Sequence, residues 1–171
     1  MHLEFPEKRH EKEYLEMIQE FSDNKEEIIP YSAGLKEGEN YDSFLERIKS
    51  NREGKNLKPG HVKSELYFLI DDDDKIVGAE AIRPILNEAL KYDGGNIGYG
   101  IRLSERKKGY ATIGLSLALQ RCKEYGLDKV LLTCDKENIG SSKAMIKNGG
   151  IRDSEYEFEG KIKHRYWTPV K

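Results

Sequence analysis

Arg106-Lys107-Lys108-Gly109-Tyr110-Ala111 is the stretch on which the fold turns, because it stands between a strand-like segment, Asn96 to Arg102, and a helix-like one. The first turn of a helix carries N–H groups without intrahelical partners, and the helix dipole adds positive character there. Gly109 lets the backbone approach closely or take φ > 0, Ala111 adds almost no bulk, and Arg106, Lys107 and Lys108 supply cations. The chemistry is that of an anion cradle, and phosphate is its natural occupant.

Downstream of the cradle, Ala111, Leu115, Ala118, Cys122 and Tyr125 fall on one helical face, and Gly126 stops the helix. Lys129 to Asp135 reads as a strand whose Val130-Leu131-Leu132 run predicts burial on both faces, as in a central parallel strand. A short helix follows from Ser141 to Asn148, and the tail reads as a closing hairpin, Glu155 to Phe158 and Ile162 to Val170. Upstream, Leu66 to Ile70 and Ile76 to Ile82 are apolar runs joined by the aspartate-rich tip Asp71 to Lys75, with a short helical turn expected at Leu86 to Leu90. A strand at His2 to Phe5 precedes an amphipathic helix over about 8–22, carrying Tyr14, Met17, Ile18 and Phe21. Pro30, Gly34 and Gly38 mark a loop from Asn24 to Asn40 long enough to act as a flap, and Ser43 with Glu46 predicts a capping box for the next helix.

The 171 residues, 37% hydrophobic, fit one domain with one core. A mean hydropathy of -0.76 and the lack of an apolar run near the roughly 20 residues of a membrane span argue against membrane insertion. Met1 to His10 has no signal-peptide core, so a cytoplasmic protein is expected. A net charge of -2 gives no global field for nucleic acid. Cys122 and Cys134 lack metal-site spacing and read as small core residues. Asp71 to Asp74 does not make a calcium loop, since Ile76 and Ile82 stand where glycine and the bidentate glutamate belong, and no metal is expected. A Walker loop is ruled out by Tyr110 after Gly109, and a dinucleotide fingerprint by Leu103 at the third glycine position. His61 and His164 are isolated.

Arg106-x-x-Gly109-x-Ala111, followed after the next strand by Asn138-x-x-Ser141-x-x-x-Met145-x-x-x-Gly149, resembles in order and spacing the two coenzyme-binding blocks of the GNAT superfamily of acetyl-CoA-dependent N-acetyltransferases. The likeness covers about residues 62–170, with the N-terminal third fitting the family's variable helical region, and departs at Leu103, Lys107 and Gly150, where proline, glycine and an aromatic or aliphatic residue are frequent. It implies a three-layer α/β fold with a mixed, splayed central sheet flanked by helices. It also implies acetyl-CoA as co-substrate, held by Ile101, Arg102, Leu103, Arg106, Lys107, Lys108, Gly109, Tyr110, Ala111, Thr112, Asn138 and Ser141. Pantetheine, with two amides, would lie along an open strand edge between 96–102 and 129–135, and Gly98 and Gly100 suit a bulge or close ligand approach.

The implied reaction is attack of a primary amine on the thioester in a ternary complex, where orientation does most of the work. Glu80 is the first candidate base and Asp135 the second; an exposed strand carboxylate is the plainer reading of Glu80. Met145 stands where many relatives carry a proton-donating tyrosine and cannot donate. Tyr99, Tyr166 and Cys134 are the remaining candidates for the acid. That gap leaves a catalytically silent CoA-binding module as the alternative, with an unrelated nucleotide-phosphate protein third. For the amine, Glu26, Glu27, Glu37 and Glu39 could attract a cationic acceptor, and Tyr31, Phe44, Tyr92 and Trp167 could line its pocket. The terminal hairpin offers an edge for a homodimer.

Overall fold

A computed structural model describes residues 1–171. The chain runs β1 (His2–Glu4), α1 (Glu11–Asp23), α2 (Tyr41–Glu53), β2 (Glu65–Ile70), β3 (Ile76–Ile82), α3 (Glu88–Tyr92), β4 (Ile97–Ile101), α4 (Tyr110–Glu124), β5 (Lys129–Asp135), α5 (Ile139–Lys147), β6 (Ile151–Phe158) and β7 (Lys161–Pro169). No helix is long and apolar enough to cross a membrane.

The strands form two antiparallel sheets, in the orders β1-β2-β3-β4 and β5-β7-β6. The mixed sheet expected from the sequence is therefore split between β4 and β5, which stand side by side without a hydrogen-bonded ladder. β2 and β3 are buried along their whole length. On one face of the first sheet lie α1 and α2, whose Tyr14, Met17, Phe21, Phe44 and Ile48 pack on Leu66, Phe68, Ala79 and Ala81. On the other face α4 brings Leu115, Ala118 and Cys122 against Tyr67, Ile82 and Ile97, and the same cluster continues into Val130, Leu132, Met145 and Tyr166 of the second sheet and α5.

The two sheets are joined at one point by Asn96. Its main-chain N–H donates to Leu131 O at 2.7 Å, its side chain accepts from Leu131 N–H at 2.8 Å, and its amide donates to Arg83 O at 2.9 Å. Gly95, at φ 63°, lies so close to Leu131 that a Cβ there would collide with the Leu131 carbonyl oxygen. Gly94 N–H donates to Thr133 Oγ1 at 3.1 Å. Beyond this junction β4 and β5 diverge. β5 is thus an edge strand, yet Val130 to Leu132 are buried, Val130 and Leu132 against α4 and α5 and Leu131 beneath the Gly95-Asn96 segment.

Several local expectations shift. The helix over 8–22 divides into a 3₁₀ turn, Lys8–His10, and α1. The cap of α2 is Asn40 rather than Ser43: Asn40 Oδ1 accepts from Ser43 N–H at 2.9 Å while Ser43 Oγ accepts from Asn40 N–H at 3.0 Å, one turn ahead of the expected box. Asparagine is among the best N-cap residues, and starting there buries Tyr41. β6 begins at Ile151, not Glu155. Asp71 Oδ1 accepts from the N–H groups of Asp73 and Lys75, both at 3.0 Å, so the aspartate run is a self-capped hairpin turn.

Replacing Asn96 with alanine removes both side-chain bonds and leaves Leu131 N–H and Arg83 C=O unsatisfied at the junction. The expected loss is roughly 2–4 kcal/mol of unfolding free energy, by summing the cost of orphaned buried groups. Urea denaturation measures it, and a loss below about 0.5 kcal/mol would mean that other contacts hold the sheets.

Candidate active site

The divergence of β4 from β5 leaves two strand edges facing one another. Arg83 N–H to Asn96 O and Arg102 N–H to Val77 O fix which residues of β4 bond β3, so by alternation the main-chain groups of Ile97, Tyr99 and Ile101 point toward β5. Leu131 bonds Asn96, so the main-chain groups of Thr133 and Asp135 point back. α4 and α5 cover one side of this cleft, as the shared core cluster requires.

At its mouth lies the basic loop. Lys107 takes φ 65° and Gly109 φ 86°, the second being the N-cap of α4. The main-chain N–H groups of Lys107, Lys108, Gly109, Tyr110 and Ala111 have no acceptor within the chain, and the first intrahelical bond is Thr112 N–H to Gly109 O at 3.0 Å. A consecutive run of free amides beside a helix N-terminus is a concave anion site. Tyr110 and Ala111 turn their side chains onto the cluster of Leu69, Val77 and Ile101, which seats the loop on the sheet.

The cations of the loop are held by carboxylates. Arg106 makes a two-point pair with Glu26, Nη2 to Oε2 at 2.7 Å and Nη1 to Oε1 at 3.2 Å, and its Nε donates to Ile101 O. Lys108 pairs with Glu105 at 2.8 Å, which also takes Lys75 at 2.5 Å. These two ammonium groups hold the buried Glu105 carboxyl down to about 2. Arg102 is committed elsewhere: its buried guanidinium bonds Glu20 at 2.7 Å and Glu13 at 3.2 Å, fastening α1 to the end of β4. A cofactor contact from Arg102 is thereby limited to its main chain. Leu103 packs into the α1–α2 core.

On the α5 side Asn138 Oδ1 accepts from Ser141 N–H at 3.0 Å, an N-cap. Tyr99 crosses the cleft from β4, with its hydroxyl 2.7 Å from Ser141 Oγ and donating to Ser141 O at 3.1 Å. Burial raises its pKa, so the phenol stays protonated. Tyr166 pairs with Ser142 Oγ at 2.7 Å, behind α5. Cys134 is pushed up to about 11 by burial. Met145 is buried in the core. Asp135 lies on the opposite face of β5, taking Lys161 at 3.3 Å and Lys163 at 3.8 Å.

Glu80 is not an exposed strand carboxylate. It is fully buried beneath α4, where Gly114 makes room for it, since a Cβ there would collide with Oε1. Neither carboxyl oxygen has a hydrogen-bond partner, and desolvation raises its pKa well above the ordinary value. A carboxyl sealed from solvent in this way does not touch an amine directly. The glycines of β4 also serve a different purpose from ligand approach: a Cβ on Gly100 would collide with Ile29 O, so Gly100 admits the Asn24–Asn40 loop against the strand. That loop is fastened rather than free, by Arg47 to Ser32 O, Gly34 O and Glu39, by Tyr14 to Ala33 O, and by the Glu26–Arg106 pair. Of its four acids, Glu26 and Glu39 are thus already paired. Phe44 is core, whereas Tyr31 and Tyr92 are exposed. The roles of Asn96, Gly95 and Glu105 are not legible in the sequence, and Glu26, expected to attract the acceptor, is the partner of Arg106; the adjacent glycines Gly94 and Gly95 are the one local signal of the junction.

The sequence model of the acetyltransferase (GNAT) domain matches residues 8–151. The chain belongs to the GNAT acetyltransferases. The match takes in α1 and α2 as well as the two coenzyme-binding blocks. Among solved structures, RimJ of Mycobacterium smegmatis with a CoA-disulfide aligns at TM-score 0.69 and 16% identity, over 98% of this chain and 81% of that one. The microcin C7 self-immunity acetyltransferase MccE, in complex with acetyl-CoA and AMP, aligns at 0.67 and 19%, over 98% and 91%. A spermidine N-acetyltransferase from Vibrio cholerae aligns at 0.65 and 14%, over 99% and 95%. At these identities the likeness is one of GNAT fold. No curated protein matches by sequence.

The environment of Glu80 sets a pH dependence. A raised folded-state pKa in an acid stabilises below the unfolded value, about 4.3, and that stability is lost as pH rises toward the folded value. Wild type should therefore lose stability relative to Glu80→Gln by about 1.4 kcal/mol per pH unit above pH 5. Thermal or urea unfolding of both proteins from pH 5 to 8 checks this, and a constant difference would show an ionised Glu80.

Proposed function

We propose that this GNAT chain transfers an acetyl group from acetyl-CoA to a primary amine by direct attack in a ternary complex. The observation that carries the reading is the run of five free amides, Lys107 to Ala111, at the mouth of a cleft with two open strand edges. The amides and Arg106 would take the pyrophosphate, and the outward groups of Tyr99 and Ile101 would bond the pantetheine amides. Asn138 and Ser141 would bound the cleft from α5.

In this reading the amine nitrogen attacks the thioester carbonyl, the C–S bond breaks, and the thiolate takes a proton while the amine gives one up. The Tyr99 hydroxyl, held protonated and shared with Ser141, is the donor to the thiolate. Asp135 is the candidate to receive the proton of the amine, directly or through water, because it stands at the end of β5 on the side that α4 and α5 do not cover. Tyr166 holds α5 through Ser142 and is a positioning residue. A thiolate is a good leaving group, so the demand on the acid is modest.

Calorimetric titration with CoA tests the donor half. Arg106→Gln should weaken binding, whereas Glu26→Gln should strengthen it roughly twofold to fivefold by removing a competing surface carboxylate; equal affinities in all three proteins would separate the loop from the coenzyme. Thiol release over an amine panel tests the transfer. Tyr99→Phe should lower kcat by roughly a hundredfold with CoA affinity retained, and an unchanged kcat would remove the phenol from the chemistry. Tight CoA binding without thiol release from any amine would favour the silent module instead.

A further inference from the structure

The cleft is closed on one side by α4 and α5, so an amine must come from the other, across the outer face of the second sheet. That face is defined by register. Val130, Leu132, Cys134 and Tyr166 point into the core with α4 and α5, so the alternate residues point out: Leu131, Thr133 and Asp135 on β5, Lys163, Arg165 and Trp167 on β7, and Ser154 and Tyr156 on β6. α1 and α2 bury their apolar faces on the first sheet, and what meets this face of the second is the segment Tyr92 to Asn96, which covers Leu131, bonds Thr133 Oγ1 and reaches Arg165, Lys163 and Tyr156.

Its surface alternates cations with rings. Arg165 lies 4.2 Å from the Tyr156 ring centroid and 5.9 Å from that of Tyr92, Lys163 lies 4.9 Å from Phe158, and Lys129 lies 4.5 Å from Trp167. Arg165 is oriented by neutral groups alone, Ser154 Oγ at 2.9 Å and Tyr92 O at 2.6 Å, and its Nε is buried without a partner. The acids here are Asp93, which takes Lys163 and the Tyr156 hydroxyl, and Asp135, which takes Lys161 and Lys163. Neither pairs with Arg165 or Lys129. The face is therefore net cationic on a chain whose overall charge is -2.

We propose that the amine acceptor is an acidic peptide, its N-terminus entering the cleft and its carboxylates lying along Arg165, Lys163 and Lys129 with Tyr92, Tyr156 and Trp167 beneath. This rests on the transferase reading and sharpens it. A polyamine would meet unneutralised guanidinium and ammonium groups. A small acid would fill one end only, since the outward row of β7 from Lys161 to Trp167 extends about 20 Å at strand rise. A peptide fits both the length and the charge.

The test compares three probes on the full chain with CoA present: a hexapeptide with a free N-terminus and four glutamates, its four-lysine counterpart, and spermine. Binding is read by calorimetry and transfer by thiol release. The glutamate peptide should bind at least tenfold more tightly than either cation, lose that advantage as salt rises, and show the higher kcat/KM. Arg165→Gln should cut its binding at least fivefold; Lys129→Gln, at an exposed position, should cut it about twofold and serves should Arg165→Gln fold poorly. Equal or tighter binding of spermine or the lysine peptide overturns the proposal, as does unchanged affinity in a folded Lys129→Gln, Lys163→Gln double variant. Glutamate-peptide binding without thiol release would refute the transferase reading while sustaining the cationic face as a docking surface. Thiol release with spermine at equal efficiency would do the reverse.

Discussion

The junction at Asn96 is the interaction on which the rest of the molecule depends. Two antiparallel sheets have no ladder between them, and a single asparagine, bonded by main chain and side chain to Leu131 and by its amide to Arg83, fixes their separation at one end. A residue fixed on both sides at one end of a pair of twisted strands sets where they diverge. The open edges of β4 and β5 follow from that, as does the distance that Tyr99 must cross to reach Ser141. Gly95 is required for the same reason, since its contact with Leu131 leaves no room for a side chain.

Charge is arranged around this cleft with economy. The proposed anion site at α4 is built from main-chain amides, while its cations rest against Glu26 and Glu105. Those carboxylates spare the loop the repulsion of clustered cations, and in the proposed reading an arriving diphosphate would exchange with them. Glu26 also belongs to the loop that lies on Gly100, so the donor site and the segment beside the acceptor side share one ion pair. Glu80, by contrast, has no charged partner; its place under Gly114 buries it in the core and raises its pKa.

The order of helices and strands was legible in the sequence because apolar periodicity and the glycine, proline and aspartate breaks are local signals. Arg106 to Ala111 and Asn138 to Gly149 were legible as a pair because each is a short stretch at an element boundary. What was hidden depends on partners distant in the chain. Nothing near Arg102 says that its guanidinium binds Glu13 and Glu20 of α1, nor does anything near Gly100 announce the Ile29 carbonyl. Glu80 carries no local mark of burial, since a carboxylate in an alternating strand ordinarily faces water. The splay between β4 and β5 came from the family resemblance and not from the strands themselves, because Val130 to Leu132 are as apolar as a central strand: Val130 and Leu132 pack with α4 and α5, and Leu131 is covered by the Gly95-Asn96 crossing instead of a neighbouring ladder.

The central claim is that the unpaired amides of the α4 loop are the site at which the donor's phosphates are held. Amide hydrogen exchange of residues 107–111, with and without saturating CoA, tests it most directly. The account predicts rapid exchange of all five amides in the free protein and strong protection on addition of CoA, with the Asn96 and Leu131 amides protected in both states. Unchanged exchange at 107–111 in a protein that demonstrably binds CoA would contradict it.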